Sequence, residues 1–409
     1  MENKHILLAG AGRATVNIDK NCLPLDGFAF VHDPLHVRAL VLDGQRRIVI
    51  VSVEITSIFE QTQALFAEAV RKLTGAKVDD IWLCLTHSFS GPHIWTAGAK
   101  DPKKTPEELS RSKRLEQAYL AALKEAVTAA MESRREAAIS SAVGQCAVNA
   151  SRNVETADGW WVGIDLNQPC DHSLPVLRID GTDGTHIAMV FVYGMRSCVM
   201  TNVLDSAGNK GVSSDLCGAA SAWLEAEMGG DFTAIFLCGP AGDQEPALQG
   251  SLEALETQTE RLGASALRAW NEAVCYGAAT VQSSAVDIFC PTKKMNRDLR
   301  SLRPTREACF QPDGVKNLRV HALRLADLHL IGVQPELSGV TAREIGEILP
   351  DDNVAVAVMV NGCDKCMPER EAYELVKYQC LNSPYMPGSA EILRDAAVSL
   401  IHQMKEVTV

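Results

Sequence analysis

The sequence has no excess of basic residues: 39 Lys and Arg stand against 51 Asp and Glu, a formal net charge of -12 at pH 7. A general nucleic-acid binder needs a basic face for phosphates, and a polybasic membrane attachment needs a cationic cluster, so neither is expected here. The chain also lacks any run of about 18 apolar residues, so no transmembrane helix and no integral membrane association are expected. Its start, Met1-Glu-Asn-Lys-His-Ile-Leu-Leu-Ala-Gly10, has neither the cationic flank nor the long apolar core of a secretory signal. No low-complexity linker and no internal repeat divides it. Thirteen cysteines are present, but the number is odd, they are scattered, and Cys84, Cys198 and Cys238 sit inside apolar runs. That pattern reads as buried free thiols in a reducing compartment, so a cytoplasmic protein is the expectation.

What is present is enough apolar material for a large core, 46% of 409 residues. Segments 37–44 and 47–54 read as a hairpin around Asp43-Gly44, the second strand apolar on both faces as a central strand would be. Apolar runs at 81–85, 187–193, 234–238, 328–333 and 354–360 read as further buried strands. Helical spacing marks 57–74, a long helix opening at Thr105-Pro106-Glu-Glu, and helices at about 215–228, 251–274, from 340 and from 389. Residues 5–18 read as two strands around a glycine turn at Gly10-x-Gly12, which is too short a match for a dinucleotide loop. Asp158-Gly-Trp-Trp-Val-Gly163 reads as a long aromatic loop, bordering a binding site or pinned by its own packing. Strands alternating with helices give an α/β fold with mixed β-sheets and flanking helices.

Five of the buried strands end in turns that carry functional side chains: His87, Arg196, Asp243, Glu336 and Cys363. Strand ends in α/β proteins present residues to a crevice. If these ends converge, one site is built from the whole chain, which argues for a single domain over residues 1–409. Each residue also has a plainer reading. His87 is a satisfied buried histidine, Glu336 a cap or ion pair, Asp243 a turn former, Arg196 the neutraliser of a buried acid. Cys363 and Cys366 are two ordinary thiols, since one C-x-x-C lacks the second pair a zinc ribbon needs.

The turns carry a resemblance. Gly10-Ala-Gly-Arg-Ala-Thr-Val-Asn17, Val31-His-Asp-Pro-Leu-His-Val-Arg-Ala-Leu40, Thr86-His87-Ser-Phe89-Ser-Gly-Pro92, Gly239-Pro-Ala-Gly-Asp243-Gln-Glu-Pro246, Gln334-Pro-Glu336 and Asn361-Gly-Cys-Asp-Lys-Cys-Met-Pro-Glu-Arg-Glu-Ala-Tyr373 are similar, in order, to segments of the neutral (non-lysosomal) ceramidase family and its shorter bacterial relatives. The resemblance covers the family's catalytic domain, and the C-terminal β domain of full-length ceramidases has no counterpart here. It implies a zinc ion held by two histidines, a glutamate and a tyrosine, assisting amide hydrolysis. Carried over by position, His87 is the first histidine and Glu336 the glutamate. The second histidine falls on Tyr193 or Arg196, and the tyrosine on Cys363 or Cys366. The other histidine of the family's Thr-His-Thr-His run is Phe89, and its nucleophilic serine is Glu245.

From the residue chemistry, His87, Glu336 and the Cys363 thiolate form a candidate three-ligand zinc set, with His93 a replacement ligand if its turn folds back. Asp243 or Glu245 is the candidate general base. Arg196 is placed to hold an oxyanion or a substrate carboxylate. Phe89, His93 and Asn361 are the candidate substrate-binding residues. The expected function is a hydrolase of an amide or related C–N bond in a small-molecule substrate. The rival is a ceramidase-like protein without turnover that binds a ligand or partner at the same place. A third reading is metal-free chemistry with Arg196 where the metal would lie. Substrate identity and oligomeric state are left open.

Overall fold

The computed structural model describes residues 6–95, 104–274, 281–295 and 301–406. An eight-stranded sheet runs in the spatial order Thr233–Cys238, His186–Tyr193, Ser173–Gly181, Arg135–Gln145, Leu8–Thr15, His36–Asp43, Arg47–Val53, Ile81–Leu85. The outermost pair at each end is parallel and the interior is antiparallel. A four-stranded sheet of Val281–Lys293, Pro312–Leu325, Leu328–Gly332 and Asn353–Ala357 packs on one face of the large sheet. Helices cover the outer faces: Glu60–Thr74, Pro106–Glu132, Asp215–Met228 and Leu252–Glu272 lie on the large sheet, Gly339–Ile348 and Ser389–Glu406 on the small one. The result is the expected mixed α/β architecture in four layers.

The double-sided burial explains the apolar runs. Side chains alternate across a strand, so Val49 and Val51 join the helix-side core while Ile48 and Ile50 join the core between the sheets. Ile81 and Leu83 divide from Trp82 and Cys84 in the same way, as do Phe191 from Val190 and Phe236 from Ile235. The long helix starts as its sequence dictates: the Thr105 side chain and Glu108 cap each other, with Pro106 in the first turn.

Two sequence expectations change. Gly10 and Gly12 make no turn; they lie in one continuous strand, Leu8–Thr15. A Cβ on Gly10 would sit 2.2 Å from the Ala130 carbonyl, and one on Gly12 2.4 Å from that of Ala126. Their absent side chains let the long helix rest directly on the sheet. The aromatic segment is a hairpin rather than a loop: Asn149–Thr156 pairs antiparallel with Gly159–Asp165, and Gln244–Pro246 adds a third strand.

The large sheet curls until its two ends meet. Ser52, one strand in from one edge, donates to the Phe236 carbonyl on the other edge at 2.7 Å. The segment following Asn353–Ala357 is wedged between those edges: Val358 N donates to Cys238 O (2.8 Å), and Leu85 N donates to Met359 O (3.1 Å). Curling therefore gathers the carboxyl ends of Ile81–Leu85, His186–Tyr193 and Thr233–Cys238 around one point, beside the turns that leave the small sheet. Among the described residues no helix is long and apolar enough to cross a membrane.

Candidate active site

His87 leaves its strand with φ of 56°, a left-handed conformation uncommon for a non-glycine residue. Its Nδ1 lies 2.9 Å from the Thr56 carbonyl and its Nε2 3.2 Å from Glu336 Oε1. Both partners are oxygens that can accept, so each ring nitrogen faces an acceptor. Asp215, also left-handed and fully buried, ties the His87 loop to the Arg196 loop. It accepts from Ser90 Oγ, from Ser197 Oγ (3.1 Å) and from the Val199 and Met200 amides (3.0 and 2.9 Å). In sequence this aspartate reads only as the start of a helix.

Glu336 is the hub. Its Oε1 faces His87, Arg196 Nε at 3.5 Å and Arg152 Nη1 at 4.0 Å, and its Oε2 accepts from the Cys366 thiol at 3.1 Å. Burial would raise its pKa, but the charges of His87 and Arg196, the hydrogen bond from His87 and the charge of Arg152 outweigh burial and hold it well below the usual carboxylate range. Glu245 forms a second bracket, 3.2 Å from Arg196 Nη1 and 3.5 Å from Arg152 Nε. Phe89 stacks edge-on to His87 (4.7 Å between centroids) and lies 4.1 Å beneath the Arg196 guanidinium, a cation–π platform.

Asp243 stands next to this cluster because Gly242 permits it: a Cβ there would sit 2.9 Å from the carbonyls of both Glu336 and Leu337. Asp243 Oδ1 accepts from Gly339 N at 2.7 Å, at the amino end of the helix Gly339–Ile348. Burial pushes its carboxyl up to about 6, against the lowering by that backbone donor. Asp243 and Glu336 line one small polar cavity with Asn153, Ser338, Glu369 and Gln379. Its volume, about 10 Å³ for the centre of a water, holds roughly one molecule. Asn153 Oδ1 and both ends of the Gln379 amide are buried without a protein partner.

His87, Arg196, Glu336, Glu245, Phe89 and Asp243 are thus brought together, as the strand ends suggested. Three expected residues are placed elsewhere. The Cys363 thiol turns away and donates to Ile58 O at 2.9 Å, while Cys366, paired across from Glu336 in a short parallel bridge, takes the place beside it. Asn361 spends its side chain on the edge strand, accepting from Leu83 N (2.8 Å) and donating to Ile81 O (2.9 Å). His93 is 42% exposed, with its amide on Asp26 Oδ2 at 2.9 Å and its ring 3.4 Å from the same carboxylate. Arg152 carries no signal in sequence, because its strand, Asn149–Thr156, shows no apolar alternation.

A zinc ion held by His87, Glu336 and Cys363 needs three donors facing one point. Here Cys363 faces away, both Glu336 oxygens are engaged, and two permanent guanidinium charges converge on that carboxylate. Burial and the Glu336 charge push the Cys366 thiol up, away from the thiolate a metal requires. Among the described residues no group of three or more His, Cys, Asp or Glu is disposed to hold a metal ion. The side chains present do not fit zinc.

No protein-family model matches this chain, and no curated protein does. Solved structures do. The neutral ceramidase from Pseudomonas aeruginosa is 17% identical with a TM-score of 0.77, over 99% of this chain and 75% of that one. A ceramidase complexed with C2 is 16% identical with a TM-score of 0.76, over 98% and 76%. The neighbours of this structure are therefore ceramidases, and the fold implied by the sequence resemblance is the fold observed.

Proposed function

We propose that the protein hydrolyses an amide or related C–N bond of a small substrate, with its own side chains in the roles a metal would otherwise take. The observation that carries this reading is Asp243: a carboxyl in a one-water cavity shared with Glu336, the carboxylate that pairs with Arg196, and pushed by burial up to about 6. A base that titrates near the working pH can take a proton and return it.

In the proposed reaction Asp243 accepts a proton from water as the water oxygen bonds to the carbonyl carbon. The carbonyl π pair moves to oxygen, and that charge is met by Arg196, whose Nε has no hydrogen-bond partner. The tetrahedral carbon then expels nitrogen, which takes the proton back from Asp243 to leave as an amine, with a carboxylic acid as the other product. His87 and Glu336 hold Arg196 in position. The fold shared with ceramidases supports a hydrolytic reading by analogy. A cytoplasmic setting is supported by every described cysteine being a free thiol.

One observation favours the rival, a binding protein without turnover. Glu245 stands where the resemblance puts a nucleophilic serine, and two guanidiniums occupy it. Amine release from a panel of small amides separates the two. Wild-type protein should turn over at least one member, and Asp243→Asn should lose that turnover while staying folded. Release no faster than in the variant across the whole panel would leave only the binding reading.

A further inference from the structure

Arg152 is the group the proposed reaction leaves idle, and among the described residues it is a buried guanidinium with two nitrogens lacking a hydrogen bond. Its side chain is 2% exposed. Nε and Nη1 are sealed from water without a hydrogen bond, and its ion-pair distances, 3.5 Å to Glu245 and 4.0 Å to Glu336, are too long for one. The guanidinium lies 5.7 Å from the Tyr378 ring, which packs on Trp161 at 5.2 Å. Arg196 beside it also has an unused Nε, and at 20% exposure it carries the cluster out to solvent together with Glu245, 12% exposed. Two guanidiniums face two carboxylates here, Glu245 and Glu336, at 3.2 to 4.0 Å.

Buried guanidiniums ordinarily saturate their planar donor fork. Arg152, with two open donors against an aromatic wall, describes a receptor for a planar anion. We propose that Arg152 binds a carboxylate while Arg196 meets the oxyanion, so that the substrate is a small amide bearing a carboxylate, of the N-acyl amino acid kind. This rests on the hydrolytic reading for the scissile bond alone; the carboxylate site itself is a matter of binding. Glu245 sets the specificity: it accepts from Arg196 Nη1 at 3.2 Å and stands 3.5 Å from Arg152 Nε, where it repels a second negative charge on the ligand.

Calorimetric titration of the wild-type protein tests this without turnover. The probes are N-acetylglycine, acetate and succinate, each against its neutral carboxamide. At least one carboxylate, N-acetylglycine foremost, should bind tenfold or more tightly than its carboxamide. Arg152→Gln should abolish that preference, and Arg152→Lys should restore part of it, since an ammonium keeps the charge without the fork. Circular dichroism establishes that each variant is folded, and the wild-type comparison stands even if one is not. Carboxylates binding no better than carboxamides, or a preference unchanged in folded Arg152→Gln, overturns the inference. Carboxylate preference without amine release would instead remove the hydrolytic reading and leave this one standing.

Discussion

Two buried charge clusters in this protein use the same residue types to opposite ends. In the first, Arg38 on the strand His36–Asp43 reaches Glu54 and Glu225. Its Nε and Nη2 donate to the two oxygens of Glu225 at 2.7 and 3.1 Å, and its Nη1 donates to Glu54. The carboxylates are used as fully, Glu54 accepting from His36 N at 2.7 Å and Glu225 from Ala234 N at 3.1 Å. In the second, Arg152 and Arg196 face Glu245 and Glu336 at 3.2 to 4.0 Å with three nitrogens lacking any hydrogen bond. A saturated cluster fastens a strand to a helix, while an unsaturated one holds capacity in reserve for a ligand. Burial alone does not tell them apart; the donor count does.

The comparison can be broken most sharply by removing the central cation of each. Arg38→Met strands two buried carboxylates and should lower stability by about 3–5 kcal/mol. Arg196→Met leaves its carboxylates facing Arg152 and His87 and should lose only about 1–2 kcal/mol, while turnover falls at least about 100-fold. Urea melts and amine release measure the two. Equal destabilisation would mean the second cluster is as structural as the first.

Next in size is the pH response of Asp243. Its pKa is raised in the folded protein, so the protonated form is favoured. That contribution is complete below about pH 4 and is lost as pH rises through about 6. A shift of about 2 units corresponds to about 3 kcal/mol at most. Wild type should therefore lose stability relative to Asp243→Asn between pH 4 and 7, while its turnover rises through the same midpoint. A parallel pair of stability curves would remove Asp243 from the site's chemistry.

Smaller still is the response to metal. Strong chelation and zinc loading should each leave the melting temperature within about 1 °C, because ligand binding would raise it by mass action. Zinc retained at one per chain, with a raised melting point, would show that the donors regroup around a cation. Least of all, Cys363→Ser should stay within about 0.5 kcal/mol of wild type and keep its turnover, since serine can make the same bond to Ile58 O.

The strands Arg47–Val53, Ile81–Leu85, His186–Tyr193 and Thr233–Cys238 were legible because each is apolar on both faces, whereas the glycines of Leu8–Thr15 disguised that strand as a turn. The strand-end residues were legible for the same reason, since a polar side chain breaking such a run stands out at His87, Asp243 and Glu336. Arg152 was not. It lies in Asn149–Thr156, a strand whose buried positions include Asn149, Ser151, Arg152 and Asn153, so no apolar alternation announced it. The choice between Cys363 and Cys366 was equally closed to sequence. Both flank the same turn, and only the pairing of Glu336 with Cys366 across a parallel bridge decides which thiol meets the carboxylate.

The wedge Val358–Asn361 has a consequence away from any chemistry. An edge strand with open amides and carbonyls is a template on which another chain can grow. Along Ile81–Leu85 the outward groups are taken up in turn: Ile81 O and Leu83 N by the Asn361 side chain, Leu83 O by Asn361 N, and Leu85 N by Met359 O. One asparagine amide there imitates a missing neighbour strand. The segment that closes the ring of strand ends is also the protein's guard against pairing with copies of itself.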